Sequence, residues 1–345
     1  MAELTCAERV MRVLRREEPD RVPHFEWLIS KKVRDALLPD CKGHNDFAIR
    51  MGHDALLVSP DFTSEQVGPT EYLSEWGYTK DYGHEEHGIE VQCPIQTMDD
   101  FLAWSPPDPH KPGRYDTIEK TVAEWKGKMA IGVHLNDVFS IPRSLMSMTS
   151  ILMAVMADPE LVSALVKMSV EVNIEMAGEV AKRGVDFVWT GDDYAFNNGP
   201  FMSPDSFREL FHPGLCEVSA GFKAAGLPFI KHCDGNIWPI IDMMIESGIT
   251  ALDPIDQQGG MDLGEVKAKF GDRVAIKGNV DCAETMTNGS VEDMIVATKD
   301  ALKAGMPGGG YICSSSNSIH SAVKPENYKA MMDVIKEFGT YPMKL

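Results

Sequence analysis

Short apolar runs that break off abruptly in polar clusters constrain this chain more than any other feature. Val133-His134-Leu135-Asn136, Val188-Trp189-Thr190-Gly191-Asp192-Asp193 and Phe229-Ile230-Lys231-His232-Cys233-Asp234-Gly235-Asn236 are three of them. Leu252-Asp253-Pro254-Ile255-Asp256, Ile276-Lys277-Gly278-Asn279-Val280-Asp281 and Ile312-Cys313-Ser314-Ser315-Ser316-Asn317 complete the set. Strand-like segments are expected at 22–27, 54–58, 129–134, 186–190, 227–232, 249–253, 273–278 and 310–314. Helix-period segments are expected at 5–18, 157–183, 204–225, 236–247, 262–270, 290–304 and 325–338. Eight strands separated by helices predict an α/β fold, a single (β/α)8 barrel in which all the polar ends meet at one face. An enzyme is the expectation that follows.

Residues 61–127 break the alternation. They include Gly83-His84-Glu85-Glu86-His87-Gly88 and Ser105-Pro106-Pro107-Asp108-Pro109. They are expected to form an insertion after the second strand, part hairpin and part helix, leaning over the barrel mouth. The barrel is otherwise expected to span all 345 residues.

The net charge of −19 argues against nucleic acid or an anionic membrane as partner. It suggests either a mouth that is acidic and lacks an arginine cluster, better suited to a neutral substrate, a cation or a metal ion, or a solvated acidic surface with no bearing on ligands. No apolar stretch is long enough to span a bilayer and the first residues lack a signal-peptide core. Seven scattered cysteines without CxxC spacing argue for reduced thiols. A cytoplasmic location is therefore expected, and a homodimer is compatible with it.

His232 and Asp234 are two apart at a strand end, so their side chains share a face while Cys233 points away. Such a pair can hold a divalent metal or act as acid and base. It can also be structural, His232 bonding a neighbouring loop and Asp234 capping the next helix. Asp192 and Asp193 can share a proton or ligate a metal, or one of them can cap a turn. His134 and Asn136 suit a polar substrate group, as do Asn279, Asn317 and His320. Glu26 and Trp27 join the candidate substrate contacts, with Phe25 and Trp189 as further aromatic walls or simple packing. Asp108-Pro109-His110-Lys111-Pro112-Gly113 fits the D-x-H-x-x-G pattern of corrinoid-binding proteins. It lies in a proline-rich loop with no α/β domain after it, and is read as a chance match.

Ile230-Lys231-His232-Cys233-Asp234-Gly235-Asn236, Asp253-Pro254-Ile255 and Lys277-Gly278-Asn279-Val280-Asp281 together resemble the uroporphyrinogen decarboxylase superfamily. So do Ser316-Asn317-Ser318-Ile319-His320 and Val323-Lys324-Pro325-Glu326-Asn327-Tyr328. The resemblance implies a (β/α)8 barrel and one of two chemistries. Decarboxylases of the family carry an Arg-Gln-Ala-Gly-Arg signature whose arginines receive substrate carboxylates. Here the corresponding stretch is Pro23-His24-Phe25-Glu26-Trp27-Leu28-Ile29-Ser30, without arginine.

The other branch consists of corrinoid-dependent methyltransferases, whose thiol-methylating members bind zinc through His-x-Cys and a distant cysteine. This chain keeps His232 but has Asp234 for the first cysteine and, by loop alignment, Asn317 for the second. The resemblance thus implies an oxygen-rich site, with zinc or another divalent metal possible on His232 and Asp234. The implied activity is methyl transfer from a small methylated compound, a methoxylated aromatic or other methyl ether, to a corrinoid on a separate carrier protein. His232, Asp234, Asp192 and Asp193 would be its catalytic groups. A decarboxylase or lyase acting on a smaller acid is the alternative.

Overall fold

The computed structural model describes residues 3–83 and 88–343, so His84 to His87 of the polar run lie outside the described residues. Seven parallel strands form one curled sheet in chain order. They are β1 (Ala55–Val58), β2 (Ala130–Leu135), β3 (Phe187–Gly191), β4 (Phe229–His232), β5 (Ala251–Asp253), β6 (Ala275–Val280) and β7 (Tyr311–Ser315). The expected eighth strand, 22–27, lies between β1 and β7 without a full ladder. Asp54 N–H donates to the His24 carbonyl at 2.7 Å, and Cys313 N–H donates to the Pro23 carbonyl at 3.1 Å. Pro23 has no N–H to return, which limits the pairing to a bridge at His24.

Two details differ from the sequence expectation. The helix expected across 204–225 is two helices, Pro204–Leu210 and His212–Ala224. Pro213 sits in the first turn of the second, where its missing N–H leaves no bond unmade. The helix expected at 236–247 starts only at Ile241, just after Pro239. Between β1 and β2 the chain adds a four-stranded antiparallel sheet (Ser64–Gln66, Glu71–Ser74, Thr79–Asp81, Ile89–Gln92) and the helices Met98–Ala103 and Asp116–Trp125. This stretch has anchors its polar composition hides. Trp76 is buried and stacks on Trp104, and Arg114 forks onto Glu75 at 2.6 and 2.9 Å beneath Phe62.

The strand residues sort into two cores. Ala55, Ala130, Phe187, Ile230, Ala251, Ala275 and Ile312 point into the barrel with Phe25. Four alanines at the strand starts leave room for Val10, Val13 and Leu14 of helix Cys6–Leu14, which plugs that end. Gly132 is needed for the same packing, because a Cβ there would come within 2.3 Å of the Phe187 ring. Outward residues such as Ile131, Val133, Val188, Phe229 and Ile276 meet the helices in the larger core. With one end filled, the polar strand ends can serve only the other.

Asp54 ties the plug to the seam. Its buried carboxylate receives Arg9 at 2.7 Å, Arg21 at 2.8 Å through two nitrogens, and the His24 N–H at 2.9 Å. Removing its charge leaves the buried Arg9 with the Asp20 carboxylate alone, at 2.7 Å, a loss of about 1–3 kcal/mol. Asp54→Asn should therefore lower the urea midpoint sharply; an unchanged midpoint would mean the seam is held by packing alone.

The same seam buries His24 and His53, with a half-buried third histidine, His44, near them. His24 and His53 meet edge to face at 4.7 Å, and His53 Nε2 meets the Tyr328 hydroxyl at 2.8 Å. Burial pushes His24 and His44 down to about 4, and His53 well below its ordinary value. Folded pKa values below the unfolded ~6.5 mean stability present in full above that pH and lost as pH falls toward about 4. The slope approaches ~1.4 kcal/mol per pH unit for each histidine. Urea midpoints should fall steeply from pH 7 to pH 5, and His53→Gln should make that fall shallower.

Candidate active site

The polar strand ends converge on His232. It ends β4, is 9% exposed, and has Gly191 of β3 and Asp253 of β5 as in-register neighbours. Its Nδ1 meets Asp253 Oδ2 at 2.6 Å. Asp253, fully buried, also accepts from Lys277 Nζ at 2.9 Å and from the Trp27 indole. One carboxylate thus fixes the tautomer and the ring plane of His232. Burial raises the Asp253 pKa, but Lys277 and His232 outweigh it and hold the group below the usual range.

The other ring nitrogen faces the opening. His232 Nε2 lies 3.4 Å from Asp234 Oδ1 and 3.8 Å from Asp193 Oδ1. Burial alone would favour neutral imidazole, but Asp234 and Asp253 outweigh it and hold the pKa well above the ordinary value. Nε2 is thus the ring nitrogen presented at the mouth. Asp234 is turned back by Gly235, at φ +83°, where a Cβ would approach the Ala195 carbonyl to 2.7 Å. Asp234 N–H donates to Asp193 Oδ1 at 2.9 Å, and Asn317 Nδ2 donates to Asp234 Oδ2 at 2.6 Å. Asp234 Oδ1 is buried and receives no hydrogen bond.

Asp193, His232 and Asp234 each place a ligand atom within 4.8 Å of the others. One imidazole and two carboxylates suit a divalent cation, and the Nδ1–Asp253 contact is the support such a histidine ligand usually has. The orphaned Asp234 Oδ1 fits the same reading. Cys233 cannot join, since it is buried on the other face and its sulfur receives the Tyr194 N–H at 3.2 Å.

Other candidates fall elsewhere. Asp192 is buried, and its Oδ2 accepts the Phe139 and Ser140 N–H groups at 2.8 and 2.9 Å, as a cap. Asn279 spends its amide on the Ile255 carbonyl at 3.0 Å. Glu26 gives both oxygens to Ser315, and burial pushes it up to about 7 against the pull of Lys277. His320 is exposed, 3.4 Å from Thr287. His110 is exposed too and meets Glu175 at 2.6 Å. These five do not meet at His232.

The aromatic and amide candidates divide. Trp27 stacks on Trp189 at 4.2 Å, His134 lies 4.3 Å from Trp189, and Lys277 Nζ sits 4.4 Å over Trp27. Burial pushes His134 down to about 4, so its ring is neutral. His134 and Asn136 border a 470 Å³ cavity beside Gly191 that also reaches the inserted sheet. Among the described residues that line it, Arg143 is the one arginine, so no cluster for a polycarboxylate is built there.

Sequence reasoning missed a buried support beneath the site. Lys231 Nζ pairs with Asp137 at 2.9 Å and donates to the Asp192 carbonyl at 2.6 Å, 3.9 Å over the Tyr194 ring. Asp137 also accepts from Tyr194 and Thr190. The available signal was a lysine inside an apolar strand, at Lys231 and again at Lys277, each of which requires a buried carboxylate.

A parallel-stranded barrel, plugged at one end and carrying His232 among carboxylates at the other, has the architecture of a (β/α)8 fold, and sequence comparison refines this. The model of the uroporphyrinogen decarboxylase (URO-D) family matches residues 72–338, and the chain belongs to that family. Uroporphyrinogen decarboxylase of Thioalkalivibrio sulfidiphilus is 28% identical over 152 residues, 41% of this chain and 40% of that protein. Methylcobamide:CoM methyltransferase MtaA of Methanosarcina barkeri is 26% identical over 170 residues, 49% and 47% of the two chains. The matches span about half the length of these curated relatives or less. A methyltransferase from Methanosarcina mazei superposes with a TM-score of 0.73 over 97% of this chain and 99% of that one, at 18% identity, which shows a shared fold. No single helix among the described residues is long and apolar enough to cross a membrane.

Asp253 is expected to set the charge of His232. In Asp253→Asn, the imidazole titration midpoint read by nitrogen-15 NMR should drop by ~1 unit or more. An unshifted midpoint would assign that role to Asp234 alone.

Proposed function

We propose that this protein is a corrinoid-linked methyltransferase that takes a methyl group from a methyl ether and passes it to the cobalt of a separate carrier protein. The observation that carries this reading is the geometry of His232, braced by Asp253 at 2.6 Å on one nitrogen and facing the opening with the other. An ether oxygen is a poor leaving group until its developing charge is neutralised. As the methyl–oxygen bond breaks toward the cobalt, the oxygen keeps the bonding pair and His232 Nε2 supplies the proton. Asp253 stabilises the cation beforehand, and Asp193 and Asp234 can return a proton between turnovers. Asn317 holds Asp234 in place, and Trp27 with Trp189 shields the ring from water. If a divalent ion is bound, Asp193, His232 and Asp234 would hold it, and it would supply Lewis acidity to the same oxygen.

The relation to a methylcobamide methyltransferase supports a corrinoid partner. A family decarboxylase reaction on a smaller acid would use the same proton, and the relation to uroporphyrinogen decarboxylases keeps it as the second reading.

The test is purified protein with a reduced corrinoid carrier and a methyl aryl ether, followed by corrinoid absorbance. Methylation of the carrier is expected only when all three are present. His232→Gln and Asp234→Asn should each slow it about 10²–10⁴-fold, with little change in Tm. Carbon dioxide release without carrier methylation would establish the second reading instead. Variants that keep full turnover would remove His232 from the chemistry.

A further inference from the structure

Outside the barrel wall, at the closed end, lies a cavity of about 550 Å³ that takes no part in the site at the mouth. It sits between the helices His212–Ala224 and Ile241–Glu246, over the residues that lead into β4 and β5. Its floor is apolar: Leu227, Phe229, Ile245 and Ile249, all buried. Phe229 faces outward from the sheet, so the strand wall separates this cavity from His232. Charged and hydroxyl donors outnumber carboxylates around it. Arg16, Lys223 and Arg273 line it against the single carboxylate of Glu246. Arg273 pairs with Asp242 at 3.3 Å, and Arg16 donates to the Arg273 carbonyl at 3.2 Å. Lys223 makes no ion pair among the described residues. Ser219 lines the cavity too, is 2% exposed, and its hydroxyl has no hydrogen-bond partner. A buried hydroxyl inside a helix ordinarily returns its hydrogen to the carbonyl one turn back. Thr298 does so onto Met294 at 2.8 Å. Ser219 does not, and Lys223 follows it by one turn on the same helix face.

We propose that this cavity is a second ligand site, and that it takes a small organic monocarboxylate with an apolar body. The carboxylate accepts from the Ser219 hydroxyl and the Lys223 ammonium, with Arg16 on the same rim, and the body covers Leu227, Phe229 and Ile249. Three cations against Glu246 and Asp242 leave one charge to be met. That suits a single carboxylate and not a dicarboxylate or a phosphate dianion. The volume lies within the range of small-ligand sites. This site is independent of the chemistry proposed at the mouth. It still lies under the strands that carry the mouth: Phe229 opens the one that His232 closes, and Thr250 precedes the one that Asp253 closes.

Titration calorimetry on the whole protein tests this, with octanoate, octanol and acetate as probes. Octanoate should bind about ten-fold more tightly than octanol, which lacks the charge. Acetate, which lacks the body, should give no measurable heat. Ser219→Ala removes only an unpartnered hydroxyl, so Tm should hold while octanoate affinity falls about three-fold. Lys223→Met should lower the affinity about two- to five-fold, and Glu246→Gln should raise it by a similar factor. His232→Gln should leave octanoate binding as it is. No octanoate binding, or octanol binding as tightly, would overturn the proposal. So would octanoate binding that is unchanged in Ser219→Ala, Lys223→Met and Glu246→Gln, or that is lost in His232→Gln, since the probe would then sit elsewhere.

Discussion

The carboxylate of Asp253 is the constraint around which the mouth is organised. It sits at the end of a three-residue strand, fully buried, where an unpaired negative charge would be costly. Three donors from three different strand positions offset that cost: Lys277 from β6, His232 from β4 and the Trp27 indole from the seam segment. The same bonds that keep Asp253 ionised therefore fix the spacing of the strand ends and orient the imidazole. Structural and chemical roles cannot be separated at this residue, because the contact that satisfies its charge also adds to Asp234 in raising the pKa of His232.

A second buried ion pair does the corresponding work on the outer face. Lys231 and Asp137 lie under the β3–β4 loops, and Lys231 holds the carbonyl of Asp192 while the Asp192 carboxylate caps the chain at Phe139 and Ser140. Asp193 is the next residue and turns into the opening. Adjacent aspartates thus divide the labour, one fixing the loop and the other facing the site. Breaking either partner of such a pair leaves a buried charge, so both are expected to be sensitive to substitution.

Much of this was legible in the chain. The strands followed from short apolar runs bounded by Gly, Pro or Asp, and seven of the eight formed ladders within two residues of the expected limits. The eighth kept its place but not its ladder, since Pro23 cannot donate. His232 and Asp234 were readable because period-two alternation puts them on one face. Asp193, His134 and Asn317 were readable as strand-end polar residues. Glu26, Asn279 and Asp192 look alike in sequence but turn to Ser315, Ile255 and a helix start, choices made by three-dimensional neighbours. Lys231 and Lys277 were passed over as strand residues, because partners 94 and 24 positions away along the chain give no local pattern. The stretch 61–127 was expected as part hairpin and part helix, but its anchors, Arg114 on Glu75 and Trp76 on Trp104, were not legible in so polar a run.

The helix Cys6–Leu14, wedged among the alanines at the strand starts, has a kinetic meaning. It makes the barrel a vessel with one door. In the reaction proposed above, the small donor would enter and its remnant would leave through the same opening onto which the carrier would settle. Two reactants of unequal size then cannot arrive in arbitrary order: the smaller has to be seated before the larger covers the entrance, and its product is held until the larger departs. A compulsory order of addition is the steady-state pattern that the proposed two-substrate reaction would show in such a vessel.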